Sequence, residues 1–227
     1  MAPMAYARFP FLSLLLLCCI GGLLAILCTP AARTRRIKWI SAVFSGISLL
    51  ISAGLFIAYD QSAGGLQFVE KVPWVPSLGI HWYNAADGFN LPMLLLTGIV
   101  FFTGVLSMWE LETRVKEFFA LVFLLVAGVF GLFMSLDLFF IVVWYDVSLF
   151  PMYLLIAVWG STRKEYGAMK LTLYLLAGSA LILPAIVYLV ANAGTLTFDL
   201  LALMDGDRFT PAQQRLAFLM LLSLIHI

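Results

Sequence analysis

An aspartate stands in the middle of a long apolar run. Asp146 lies eight residues into the stretch 138–158, about 12 Å along a helix at 1.5 Å per residue. In a hydrocarbon core about 30 Å thick, that is close to the midplane. Placing an aspartate there costs about 2.5–3.5 kcal/mol on the insertion scale, so hydrophobic packing alone would not select it. Five residues on, Pro151 has no N–H to give to the carbonyl of Val147. A freed carbonyl beside a carboxyl group makes a polar pocket that admits water. The chemistry that suits this combination is proton uptake and release inside the membrane. The plainer reading is a structural aspartate bonded to a neighbouring helix.

Lys170 is a second candidate, as a relay. It lies about one turn into the stretch 166–191, about 6 Å from its end, on the same helix face as Tyr174. Its depth differs from that of Asp146 by roughly 12 Å, so no direct ion pair between them is expected. The plainer reading is a lysine that snorkels to the interface. Asp137, at the turn between two apolar runs, is a weaker candidate and is expected chiefly to cap the helix that follows it. His81 has no His, Cys or acid at ligand spacing, and reads as hydrogen-bonded or solvated rather than as a metal ligand. Cys18, Cys19 and Cys28 fall in one apolar run, at the spacing of no zinc or iron–sulfur pattern. They read as small packing residues. With no dinucleotide fingerprint either, no cofactor or metal site is expected in this chain.

The elements that must position these groups follow from composition. The 227 residues are 63% hydrophobic and 11% charged, and the mean hydropathy is +1.06. A soluble domain is about half apolar and a quarter charged, so a soluble globular fold is excluded. Disorder is excluded by the low charge. A formal net charge of +1 leaves no basic footprint for nucleic acid. The chain is expected to be an all-α polytopic membrane protein, with the lipid bilayer as its solvent and a single membrane domain over residues 1–227. Its predicted helices are 9–28, 39–58, 91–108, 118–136, 138–158 and 166–191. A partial seventh, 212–227, starts at Thr210-Pro211 and is too short to span. Either the run lies in the membrane interface or the chain is a truncated piece of a longer protein; the lack of a stop signal favours truncation. The polar stretch 59–90 holds two aromatic and β-branched runs around Pro73, Pro76 and Gly79, which read as a short outer hairpin. The hairpin is either an ordered loop or a dock for a neighbouring subunit. Gly128, Gly131 and Gly178-Ser179-Ala180 mark close helix contacts.

Orientation follows from the basic residues. Arg33, Arg35, Arg36, Lys38, Arg114, Lys116, Arg163, Lys164 and Lys170 fall on one side; only Arg8, Lys71, Arg208 and Arg215 fall on the other. The first group is expected to face the cytoplasm, which leaves the N-terminus outside. Positive charge follows the first apolar run rather than preceding it, so that run is a retained helix and not a signal peptide. Interfacial anchoring accounts for Trp39, Trp109, Trp159, Trp74 and Trp82.

Residues 135–160 read SLDLFFIVVWYDVSLFPMYLLIAVWG. This stretch closely resembles the M subunit family of bacterial NADH-quinone oxidoreductase, the counterpart of subunit 4 of respiratory complex I. Pro151-Met152-Tyr153 and Trp159-Gly160 are its most specific pieces. Arg163 to Lys170, Trp74 to Gly79, Asp87-Gly88 and Gly194 to Asp199 extend the resemblance over about 70–201. It implies an antiporter-like, proton-pumping subunit built as two inverted five-helix repeats, of which this chain covers the opening of the first. It implies a buried acid in the fifth helix, paired with a lysine in the seventh. The acid's position is Asp146, where the family usually has Glu; the lysine would lie beyond Ile227. Flavin, iron–sulfur clusters and quinone would be held by partner subunits, and this chain's partners would be other membrane subunits of the complex. The implied location is the bacterial inner membrane or, alternatively, the mitochondrial one. The competing readings are a subunit of a multi-subunit cation/proton antiporter and a purely structural membrane subunit.

Overall fold

A computed structural model of the chain describes residues 4–6, 9–194, 196–204 and 209–226. Arg8, Arg208 and Ile227, used above for charge and topology, lie outside them. The elements run β1 (Met4–Tyr6), α1 (Phe11–Cys28), α2 (Thr34–Ala58), β2 (Leu66–Val75), β3 (Ile80–Ala86), α3 (Asn90–Ser107), α4 (Val115–Met134), α5 (Leu138–Trp159), α6 (Lys164–Asn192), α7 (Leu200–Met204) and α8 (Pro211–His226). Six of these, α1 to α6, are long and apolar enough to cross a membrane. Helices α2, α4 and α6 begin before the apolar runs that announce them. Arg and Lys are good helix formers and carry each helix outward past its apolar part.

The core lies among α1, α2, α3 and α4, with Phe101, Phe119, Phe123 and Phe130 buried. Phe101 and Phe123 stack edge to face, centroids 4.8 Å apart, the arrangement aromatic quadrupoles favour. Helix α2 turns an unusual face inward. Ser41, Ser45, Ser48 and Ser52 are all fully buried, while Trp39, Val43, Ile47 and Leu50 face out. Lipid tails are as apolar as Leu, so small residues rather than large apolar ones draw membrane helices together. The four hydroxyls are satisfied within the helix: Ser41 Oγ donates to the Ile37 carbonyl at 2.9 Å and Ser48 Oγ to that of Phe44 at 3.0 Å. Ser45 and Ser52 bond the carbonyls of Ala42 and Leu49 in the same way.

The stretch 59–90 forms an antiparallel hairpin, with β2 and β3 paired from Gln67–Ala86 to Val75–Ile80. The turn needs Gly79, whose φ is 67° and whose missing side chain lets the Leu196 backbone approach; any other residue would be strained in both respects. The hairpin docks on its own chain. Leu136 donates its N–H to the Tyr83 carbonyl at 2.8 Å, Leu200 to Leu136 at 3.0 Å and Leu138 to Phe198 at 2.9 Å. The turn between α4 and α5 is thereby clamped between β3 and the segment after α6. Trp82 is only partly exposed. It packs edge-on against Phe140 at 5.0 Å and Trp144 at 6.1 Å, because the clamp lays β3 over the start of α5. Trp74 stays exposed.

Candidate functional site

Helix α5 carries Asp146. Its N-terminus is held by the clamp, so the aspartate's depth is set from Leu138, about 12 Å away. Pro151 sits inside the helix and is buried, and the helix continues through it. Within this chain Asp146 is not buried, contrary to the expectation of an enclosed carboxyl. It is exposed, on one stripe of α5 with Phe139, Phe150 and Tyr153. The cause is the packing: α5 gives its other faces to α4 and α6, and the stripe between them is left uncovered. No described side chain hydrogen-bonds or ion-pairs with Asp146. Two buried polar atoms of the same helical turn lack partners among the described residues: the Tyr145 hydroxyl and, on the face packed against Gly131 of α4, Trp144 Nε1. Buried polar groups normally have a partner or an ordered water. The segment around Asp146 is therefore the most polar and least satisfied part of the span.

Lys170 is exposed on α6, six residues from Lys164, which is about 9 Å along the helix. Its ammonium lies 5.9 Å from the Tyr166 ring and 5.8 Å from that of Tyr174, a spacing of one turn each way. The rings stabilise the cation by their quadrupoles. Among the described residues no ion pair joins Lys170 to Asp146.

Asp137 lies in the clamp. Its side chain caps α5, accepting from Phe139 N at 3.0 Å, and reaches across to His81 N at 2.8 Å. It is fully buried, not surface-lying as its position in a turn suggested, because the hairpin closes over it. His81 completes its own bonding with Nδ1 3.1 Å from the Gly79 carbonyl. Burial pushes the Asp137 carboxyl above its usual value, against amide donors from His81, Phe139 and Phe140 that favour the charged form. The folded protein therefore keeps this proton to a higher pH than the unfolded chain does. The stability gained is complete below the unfolded carboxyl's pKa and is lost as pH rises through the folded value. Asp137→Asn is expected to flatten that slope in thermal melts taken across the mildly acidic range. Asp137→Ala strands the hydrogen-bonded amides of His81 and Phe139 and is expected to cost about 1–3 kcal/mol in detergent unfolding.

Several polar residues that organise this end were not singled out by the sequence. The Glu70 carboxylate accepts from Leu12 N at 2.8 Å and Ser13 N at 3.1 Å, and from the Ser13 hydroxyl. It caps α1 from across the fold, which suits the positive end of a helix. A signal existed: α1 starts at Pro10-Phe11, with no side chain of its own able to cap it. Lys71 pairs with Asp199 at 2.5 Å and lies over the Tyr83 ring at 4.6 Å, tying the hairpin to the segment after α6. Asp199 also caps α7 through Leu201 N at 2.9 Å. A sequence separation of 128 residues hides the pair from any local pattern.

Three comparisons bear on this arrangement. The transmembrane family described as "NADH:quinone oxidoreductase/Mrp antiporter, TM" matches residues 135–226, the stretch that contains the clamp turn, Asp146 and Lys170. NAD(P)H-quinone oxidoreductase chain 4 1 of Nostoc sp. is 33% identical over 198 residues, covering 86% of this chain and 37% of that protein. The chain 4 protein of Gloeobacter violaceus is 32% identical over 215 residues, covering 94% of this chain and 40% of its own length. The chain thus spans well under half of these relatives. In fold, it matches a chain of respiratory complex I from Thermus thermophilus with TM-score 0.82 and 24% identity, over 94% of this chain and 43% of that one. A chain of the Mrp complex from Dietzia sp. matches with TM-score 0.73 and 18% identity, over 94% and 23%. Over most of its length the chain is therefore similar to the NAD(P)H-quinone oxidoreductase chain 4 proteins, and residues 135–226 of this multi-pass membrane protein match the oxidoreductase/antiporter transmembrane family.

Proposed function

We propose that the protein is a proton-translocating, antiporter-like membrane subunit of an NADH-quinone oxidoreductase, with Asp146 as the acid that takes up and releases the proton. The observation that carries this reading is a carboxyl group at mid-span, on an open face of α5, inside the stretch that matches the family. A charged or polar group at that depth is costly and is characteristic of proton pathways. Electron transfer from NADH to quinone takes place in partner subunits, which hold the flavin and the iron–sulfur clusters. This chain contributes the membrane path. Asp146 holds the proton. The adjacent Tyr145 offers an unsatisfied hydroxyl, and the Val147 carbonyl freed by Pro151 is a further acceptor. Lys170, nearer the basic end of the bundle, acts as a relay whose charge favours ionisation of groups around it. The basic end faces the cytoplasm of a bacterial inner membrane, by the distribution of Lys and Arg.

The family description covers multi-subunit cation/proton antiporters as well, and the Dietzia sp. match keeps that as the second reading. Purification of the protein from its native membrane separates the two. Flavin- and iron–sulfur-containing subunits are expected to co-purify with it. Co-purification with other membrane subunits alone, without flavin or iron, would favour the antiporter instead.

A further inference from the structure

The basic end of the bundle holds two clefts on either side of Trp39, remote in sequence from Asp146 and unused by its proton chemistry. One, of about 610 Å³, is lined by Arg33, Arg35, Arg36 and Trp39, among others. The second, of about 330 Å³, is lined by Thr34, Arg35, Lys38, Trp39 and Trp109. No acidic side chain lines either cleft. Among the described residues none of the four cations is in an ion pair. Trp39 and Trp109 meet edge to face, centroids 5.4 Å apart, at the level where aromatic rings sit against lipid headgroups. Below Trp39 the outward face of α2 continues as Val43, Ile47 and Leu50, all exposed, opposite the buried serine row.

We infer that this is a binding site for an anionic phospholipid. The phosphate occupies the basic clefts, the interfacial glycerol region lies against Trp39 and Trp109, and an acyl chain runs down the Val43–Ile47–Leu50 stripe. Charge alone would suit an acidic peptide equally well. The stripe decides against it, because cationic, aromatic and apolar groups follow one another along the membrane-spanning axis, in the order of a lipid's own parts. A merely topological role for the four cations requires neither the shared clefts nor the stripe.

Quenching of tryptophan fluorescence by brominated lipids, with the protein in nanodiscs, tests the site. The Trp39 share is read as wild type minus Trp39→Phe, a variant that leaves every charge in place. Brominated phosphatidylglycerol is expected to quench that share with about tenfold higher apparent affinity than brominated phosphatidylcholine, because two or more surface cations act on a phosphate charge that no choline offsets. R35Q/R36Q/K38Q should bring the ratio close to one. R35K/R36K should preserve it, and so should R163Q/K164Q, which neutralises other cations at the same end of the bundle. Equal quenching by the two lipids in the wild type would overturn the proposal. So would relief of the quenching by millimolar inorganic phosphate, which would identify a free-anion site. Loss of a partner subunit from R35Q/R36Q/K38Q, with the lipid preference intact, would identify a protein contact and overturn it equally.

Discussion

Asp146→Asn is expected to cut proton translocation by the assembled complex at least about tenfold, while assembly and thermal stability stay within error of the wild type. On the proposed role of Asp146, the loss is that of a proton-exchanging group removed from its path, where such groups contribute on the order of a hundredfold or more to proton transfer. The selectivity of the loss follows from geometry. Asp146 is exposed on α5 and holds no hydrogen bond or ion pair with any described side chain. Asparagine has the same shape, so it disturbs neither the α4 nor the α6 contact. Asp146→Glu keeps a titrating carboxyl, one methylene further out, and is expected to retain most of the activity. A structural aspartate predicts the reverse: assembly falls in Asp146→Asn and pumping per assembled complex is unchanged. Proton-to-electron ratios in proteoliposomes, together with the yield of intact complex, separate these outcomes.

Gly128→Ala is expected to destabilise the protein by about 1–3 kcal/mol, the usual cost of overpacking a closed contact. A Cβ at Gly128 would lie 2.9 Å from Ser148 Cβ and 3.0 Å from both the Ser148 nitrogen and the Trp144 carbonyl oxygen. The last two are backbone atoms of α5, which cannot rotate away as a side chain can. The helices must separate, and α5 carries Asp146 with it. The variant is therefore expected to lose pumping as well as stability. Gly54→Ala and Gly104→Ala are the controls. Both glycines lie in helices and have nothing within 4 Å of an added Cβ, so their melts should match the wild type or rise slightly, since alanine is the better helix former. Equal melting temperatures for Gly128→Ala and Gly104→Ala would show that α4 and α5 are not in the close contact described.

The membrane-spanning elements were legible because their signal is local. Apolar runs long enough to cross a bilayer can be little else, and Asp146 stood out against one of them. The hairpin was legible for a similar reason, from Pro73, Pro76 and Gly79 between aromatic and β-branched runs. What stayed hidden depends on contacts between distant residues. Lys71 and Asp199 read as ordinary loop charges, yet they pair across the outer layer. Glu70 sits in a strand and caps a helix that begins more than fifty residues earlier. The serine row of α2 has a helical period, but in a soluble protein it would mark the wet face. In a membrane it marks the packed one. Asp146 itself shows the limit most clearly. Its depth follows from counting residues, whereas its exposure within this chain depends on which faces of α5 are taken by α4 and α6.

Infrared difference spectroscopy of the complex, comparing resting enzyme with enzyme turning over NADH and quinone, tests most directly whether Asp146 exchanges a proton. A carboxylic-acid carbonyl band should change on turnover, shift in deuterium oxide, and be missing from the Asp146→Asn spectrum. Difference spectra that superimpose for wild type and Asp146→Asn, with both complexes still pumping, would contradict the assignment.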